Sequence, residues 1–373
     1  MSKLIVCCFI VFGMLTGKSQ NPDVTIQFNL PVSLNESSGV IYLNDKLVTH
    51  NDSGNSNALY ELDVNTATVT RTIEITNADN VDWEDITHDS DHIYIGDIGN
   101  NVSGNRTDLK IYKVSKSDFT ASNSVQAEII AFSYLDQTDF TGTTANNTEW
   151  DAEALVSFDS DNLMLFSKNW INDETKAYVI PKTPGDYELT ALPTTLASGG
   201  LITGGTYNPF SGKLYLIGYS ETLQPFIWVS EGFTSSDVFS GTNTKTLLSS
   251  LGFEQTEAIT YVDENSYYVT SEFFYSIITE NAKLIALETN DMALSKTKEQ
   301  AVTEVELFPN PVNNMLHINS SQLVSITLYD ARMLNVFSGT STTVDMSQLP
   351  SGLYFAAMKL KNESTVVKKI VKK

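Results

Sequence analysis

Glu36, Glu84, Glu153 and Glu257 recur at one position of the chain's internal repeats, with Thr203 at that position in the remaining repeat. Asp82 and Asp151 precede two of them by two residues, which puts each pair on the same face of a strand. Two polar segments add further oxygens: Asn51-Asp52-Ser53-Gly54-Asn55 and Gly96-Asp97-Ile98-Gly99-Asn100-Asn101. Glu272 and the Lys168-Asn169 pair occupy similar places in later repeats. Calcium takes converging carboxylate and amide oxygens, because it is a hard cation with flexible coordination. Without a cation, carboxylates gathered this closely raise one another's pKa. The expected ligands are Glu36, Asp52, Glu84, Asp97, Glu153 and Glu257, with Ca2+ as the cofactor. Each loop alone also reads as a turn, and the glutamates also suit a role in satisfying backbone donors. The break in the pattern at Thr203 favours a site with a direction.

Other chemistries find little support. There is no Gly-x-Ser-x-Gly elbow and no phosphate-binding Gly-x-x-x-x-Gly-Lys loop. His88 and His92 are four residues apart, but Asp89-Ser90-Asp91 between them reads as a turn, which does not bring both rings to one metal. The two cysteines, Cys7 and Cys8, both lie in the first ten residues, so neither a disulfide framework nor a thiolate zinc site is available. A net charge of -22, from 45 acidic and 23 basic residues, argues against nucleic acid or an anionic membrane as partner. Trp83, Trp150, Trp170 and Trp228 read as filling between sheets ahead of sugar stacking.

The elements that must carry the acidic residues are short strands. The repeats start near 36, 84, 153, 203 and 257, at intervals of 48, 69, 50 and 54 residues. Each holds an apolar strand, a turn, an aromatic-rich strand and then a third and fourth strand, which is the size of a four-stranded propeller blade. The prediction is an all-β chain with a five-bladed β-propeller over residues 20–300. Six blades is the alternative, since the 69-residue interval has room for extra strands. In such a ring the first strand of each blade lines the central channel, so the carboxylates converge on one axis. Outer strands are predicted at 69–76, 125–135, 187–192 and 244–248. The fifth repeat has only a weak candidate, Met292–Lys296, and Thr25–Leu30 is expected to complete that blade and close the ring. Closure removes the exposed sheet edges that promote aggregation.

The two ends differ from the middle. Lys3, an apolar run from Leu4 to Leu15 and the small residues Gly17 and Ser19 have the order of a secretory signal peptide, predicted over residues 1–19. No later stretch has the roughly 20 apolar residues of a membrane span. Residues 301–373 carry seven basic and five acidic residues, against 14 and 40 over residues 20–300. Strands at 305–308, 315–318, 325–329, 352–359 and 366–371 make this tail a small β-sandwich by pattern.

The tail resembles the type A C-terminal sorting domain of type IX secretion cargo. The likeness rests on Leu307-Phe308-Pro309-Asn310-Pro311, Asn314-Met315-Leu316-His317-Ile318 and Leu328-Tyr329-Asp330, then Asp345 to Phe355 and the closing Lys368-Lys369-Ile370-Val371-Lys372-Lys373. It departs from the family at Arg332-Met333, where a glycine turn is usual. The resemblance implies export to the periplasm, recognition by the type IX translocon, and a secreted or cell-surface product.

The first blades resemble SdiA-regulated-type and esterase-like phytase-type propellers. This likeness is carried by Glu36-Ser37-Ser38-Gly39-Val40, Thr49 to Asn55, Leu59 to Asp63, Asp82-Trp83-Glu84-Asp85-Ile86 and Tyr94 to Asn100. It implies a calcium-assisted or sugar-related site. The basic residues that would grip phosphate are sparse, Lys168 and Arg106 being the candidates. The expected function is an exported binding module with a calcium site in its channel and an unidentified extracellular ligand. A metal-dependent secreted hydrolase or lactonase using the same channel is the alternative.

Overall fold

The structure is a computed structural model that describes residues 21–275, 279–291, 305–320, 322–331, 334–361 and 365–373. The predicted signal peptide, the Met292–Lys296 strand and the Arg332-Met333 turn lie outside the described residues. The chain divides into two compact units, residues 1–294 and 295–373.

In the first unit the repeats become five sheets. Blade one comprises Ser37–Leu43, Lys46–Asn51, Ala58–Asp63 and Val69–Ile75; blade two comprises Trp83–His88, His92–Asp97, Lys110–Ser115 and Glu128–Tyr134. Blade three has Ala152–Ser157, Asn162–Ser167 and Ala177–Pro181. Blade four has Leu201–Asn208, Lys213–Tyr219, Pro225–Glu231 and Thr242–Leu247. Blade five has Thr256–Tyr261, Ser266–Ser271 and Lys283–Glu288, and its outermost strand is Asp23–Asn29 from the start of the chain. The predicted closing strand therefore pairs where expected.

The first strands stand side by side in ring order, with blade five returning to blade one. Hydrogen bonds tie neighbours together: Ser38 Oγ donates to the Glu84 carbonyl (2.6 Å), Ser157 N to Thr87 Oγ1 (3.0 Å) and Tyr42 N to Thr260 Oγ1 (3.2 Å). Inner strands are buried on both faces and read as nearly continuous apolar runs, as in Ala152–Ser157; outer strands such as Glu128–Tyr134 alternate between core and solvent. The core is accordingly split into layers between blades. Trp83, Ile41 and Tyr112 belong to the layer between blades one and two, and Phe166, Ile202 and Phe226 to that between three and four. Leu30, Leu47 and Leu284 belong to the layer that joins five to one.

One predicted outer strand changes blade. Gly185–Leu189, expected to complete blade three, instead adds in parallel to Glu128–Tyr134 of blade two. Ser124–Val125 similarly reaches back to Val69–Ile75 of blade one. Each connection thus covers the edge of the preceding blade.

Gly204 permits the close approach of blades four and five. A Cβ there would be driven into the Glu257 carbonyl and would lie 2.9 Å from the Ala258 Cα, both on the neighbouring first strand. Gly204→Ala should therefore cost about 1–3 kcal/mol, read as a lower urea midpoint with unchanged slope. An unchanged midpoint would show that the strands can separate freely.

The second unit packs two sheets on one core. Glu306–Phe308, Met315–Asn319 and Thr343–Asp345 form the first sheet. Asn335–Gly339, Leu323–Asp330, Gly352–Leu360 and Thr365–Lys372 form the second. Leu316, Ile318, Leu328, Met358 and Ile370 lie between them. The strands at 335–339 and 343–345 were not anticipated; both are short, and Asn335–Gly339 has no buried residue to mark a face. Among the described residues no helix is long and apolar enough to cross a membrane.

Candidate functional site

Every first strand carries a bulge near its start. In blade two, Trp83 opposes Asp97 and Asp85 opposes Gly96, leaving Glu84 without a partner across the pair. The same shift leaves Glu153, Thr203 and Glu257 unpaired in blades three, four and five. In blade one it leaves Ser38. A bulge breaks the alternation of a strand and re-aims one side chain. Here it turns Ser38, Glu84, Glu153 and Glu257 toward the channel mouth, while Thr203 Oγ1 is buried and donates to the Thr256 carbonyl at 2.5 Å.

This register relocates two predicted ligands. Glu36 is the counterpart of Asp82 and Asp151, two residues before the bulge. The Asp52 N–H donates to the Glu36 carbonyl just as Ile98 N–H donates to Asp82 and Lys168 N–H to Asp151. Glu36 itself is exposed and accepts from Asn55 Nδ2 at 2.5 Å. Asp52 is consequently the counterpart of Ile98, not of Asp97. Asp97 is shifted by one residue and so points to the other face. It accepts from Arg106 at 2.8 Å and from Asp82 N–H at 3.1 Å, and it does not line the mouth.

The mouth is a cavity of about 220 Å³, into which Asp52, Glu84, Glu153, Glu257 and Glu272 project together with Ser38, Lys168, Trp170, Tyr219 and Gln255. Ser38, Tyr219 and Gln255 were missed because they break the acidic pattern. Their equivalence lies in the bulge register, which composition does not reveal. Trp170 lines the cavity and donates from Nε1 to Asp151 Oδ2 at 2.7 Å, whereas Trp83 fills the space between blades as expected.

Oxygens cluster in two overlapping groups. One ligand atom each from Asp52, Asp82 and Glu84 lie within 4.8 Å of one another, as do those of Glu84, Asp151 and Glu153. Glu84 is buried, and its Oε1 has no hydrogen-bond partner among the described residues. Lys168 is the cation in the cavity wall; its Nζ contacts Glu153 Oε2 at 2.5 Å and lies 4.9 Å from the Trp170 ring centre.

Burial drives the electrostatics. It raises Asp82 to about 7, with help from the Asp52 and Asp151 charges. Burial and then Glu153, Asp52, Asp82 and Asp151 hold Glu84 well above the usual carboxylate range. Glu257 is pushed to about 7 and Asp52 is raised, in both cases chiefly by burial. Burial alone would lower the Lys168 ammonium, but Glu153, Tyr219, Glu257 and Asp151 raise it well above the ordinary lysine value. One lysine cannot balance so many carboxylates, so the arrangement is suited to a bound cation.

The solved structures similar to this chain include three from different proteins. A glucose dehydrogenase shares 9% identity and a TM-score of 0.39, over 71% of this chain and 99% of that one. Regucalcin from Agrobacterium tumefaciens, described as a calcium-binding protein, shares 11% and a TM-score of 0.37, over 74% and 97%. YCF48 bound to a D1 peptide shares 11% and a TM-score of 0.32, over 95% and 96%. Similarity at this level does not extend to ligand or activity. No curated protein sequence matches the chain. Residues 306–373 match the family described as the secretion system C-terminal sorting domain, a tail of the type IX route that indicates export to the cell surface or secretion.

Proposed function

We infer that the propeller is an exported calcium-binding module, with the ion held where Asp52, Asp82 and Glu84 meet. The observation that carries this reading is the buried, unpartnered Glu84 Oε1 beside two further carboxylates. Lys168 neutralises the group containing Glu153, which leaves the Asp52 group with the larger uncompensated charge. An all-oxygen set without cysteine or histidine suits calcium better than zinc. Magnesium is disfavoured because it demands tighter octahedral geometry.

In this reading residues 1–19 are removed on export, residues 20–300 bind, and residues 301–373 sort. A chain ending at Gln300 should fold yet accumulate in the periplasm of a type IX-secreting host. Normal secretion of that chain would overturn the sorting role.

Calorimetric titration of chelator-treated mature protein tests the binding. One calcium per chain is expected, lost in Asp82→Asn plus Glu84→Gln; no calcium heat at millimolar concentration removes the reading. The hydrolase or lactonase alternative draws on the free space of about 220 Å³ beside the acidic groups. It requires calcium-dependent turnover in a screen of esters, lactones and phosphate esters.

A further inference from the structure

The other end of the ring holds a larger cavity, of about 600 Å³, walled by the far ends of the first strands. Asp85 separates it from the acidic mouth. This buried carboxylate reaches across the bore from blade two, accepting from Leu155 N–H at 2.9 Å and from Gly205 N–H at 3.4 Å. The second cavity is therefore a site of its own.

Aromatic rings supply part of its wall. Phe158 and Tyr207 lie 5.3 Å apart between ring centres, and Tyr261 stacks on His88 at 6.5 Å. The charged groups around it are mostly satisfied. Asp89 accepts from Asp91 N–H, His92 N–H, Tyr94 Oη and Lys182 Nζ. Lys182 donates also to Ser157 Oγ and the Asp159 carbonyl, and Asp159 in turn accepts from the Asp161 and Asn162 N–H groups. Asp91 is exposed and accepts from Ser90 Oγ.

Lys116 is the exception. Its Nζ donates to His88 Nδ1 at 2.8 Å and to the Asp89 carbonyl, and among the described residues no carboxylate lies within 4.0 Å of it. An ammonium has three donors, so one remains for a ligand.

We propose that this cavity binds a small organic carboxylate carrying an apolar ring, with the carboxylate on Lys116 and the ring among Phe158, Tyr207 and Tyr261. A volume of this size suits such a molecule, and aromatic walls with one well-placed polar group are the usual make-up of a small-ligand site. A single lysine is a point charge, matched to a monoanion rather than to a phosphate dianion. Asp91 and Asp159 nearby further disfavour a dianion.

The test uses mature full-length protein, with phenylacetate, its neutral analogue phenylacetamide, and acetate as probes in calorimetry. Phenylacetate should bind at least about tenfold more tightly than either, since only it offers both the charge and the ring. Lys116→Met should weaken phenylacetate about tenfold and leave phenylacetamide unchanged, while Phe158→Ala should weaken both. Calcium or chelator should change none of these affinities, so this site can fail or hold independently of the acidic mouth. Equal binding of phenylacetate and phenylacetamide to the wild-type protein overturns the proposal, as does absence of phenylacetate binding at millimolar concentration. The wild-type comparison needs no variant to fold.

Discussion

Deleting residues 21–30 should remove about 5 kcal/mol of stability from the first unit, enough to unfold a domain of ordinary stability. Asp23–Asn29 is the outer strand of blade five, paired with Lys283–Glu288 although more than 250 residues separate them in sequence. Leu30 adds a backbone bond to the Ala282 carbonyl and a buried side chain beside Leu34 and Leu284. Phe28 packs on the same layer, and Val24 packs on the layer between blades four and five. Leu30 at roughly 1.5–3 kcal/mol, a smaller share each from the half-buried Phe28 and Val24, and the lost strand pairing, partly offset by the entropy of ordering the strand, give the expected size. The deletion would also expose the Lys283–Glu288 edge to pairing with other chains. Leu30→Ala alone should cost about 2–4 kcal/mol, which separates side-chain burial from strand pairing. If urea unfolding of the deletion variant matches the wild type, the ring is not held by its first strand.

That strand was legible in the sequence because its signal is simple: a fifth repeat lacking an outer strand, and an unassigned strand before the first repeat. The repeats themselves were legible for a related reason. Inner strands buried on both faces, such as Lys213–Tyr219, are apolar runs bounded by turns. The acidic site was legible only in outline. Its residues were found by type, but their alignment depended on a bulge that adds one residue to one strand. That single residue exchanges Glu36 for Ser38 at the channel position and puts the buried Ile98, not Asp97, in register with Asp52, a shift no count of carboxylates can show. The outer edges were least legible. Whether Gly185–Leu189 pairs with its own blade or the previous one depends on the path of the loop before it, and its alternating pattern suits either edge.

Without calcium, the carboxylates of the mouth should cost the first unit stability as the pH rises from about 5 to 8, and calcium should reverse that cost. Asp82 stands at about 7 in the fold, against 3.8 for an ordinary aspartate, because it is buried beside Asp52 and Asp151. Glu257 stands at about 7 against 4.5, chiefly through burial. The folded state therefore holds these protons over a range where the unfolded chain has released them. Their stabilising contribution is complete below about pH 4 and is lost as the pH passes through about 7. For Asp82 this is on the order of 4 kcal/mol, at roughly 1.4 kcal/mol per pKa unit. Burial lowers His50 and His88 to about 4, so they add stability as the pH rises to about 6.5 and oppose the carboxylates there; the effect is therefore read as the difference between the wild type and a variant lacking the carboxylates. Asp89 does not mask that difference. Its burial is outweighed by hydrogen bonds from Asp91, His92, Tyr94 and Lys182, which hold it below the ordinary value, so its contribution changes only at more acid pH. A calcium ion between Asp52, Asp82 and Glu84 would compete with the same protons, so its benefit should grow with pH and reach about 2.7 kcal/mol at 100 times its dissociation constant. Asp82→Asn plus Glu84→Gln removes the titrating groups and the ligands together. In that variant the melting temperature should fall less, or rise more, between pH 5 and 8 than in the wild type, and should no longer respond to calcium or chelator. A wild-type pH profile parallel to that of the double variant, and a melting temperature indifferent to calcium, would mean that the carboxylates are satisfied within the fold, with the bulges serving blade packing rather than an ion.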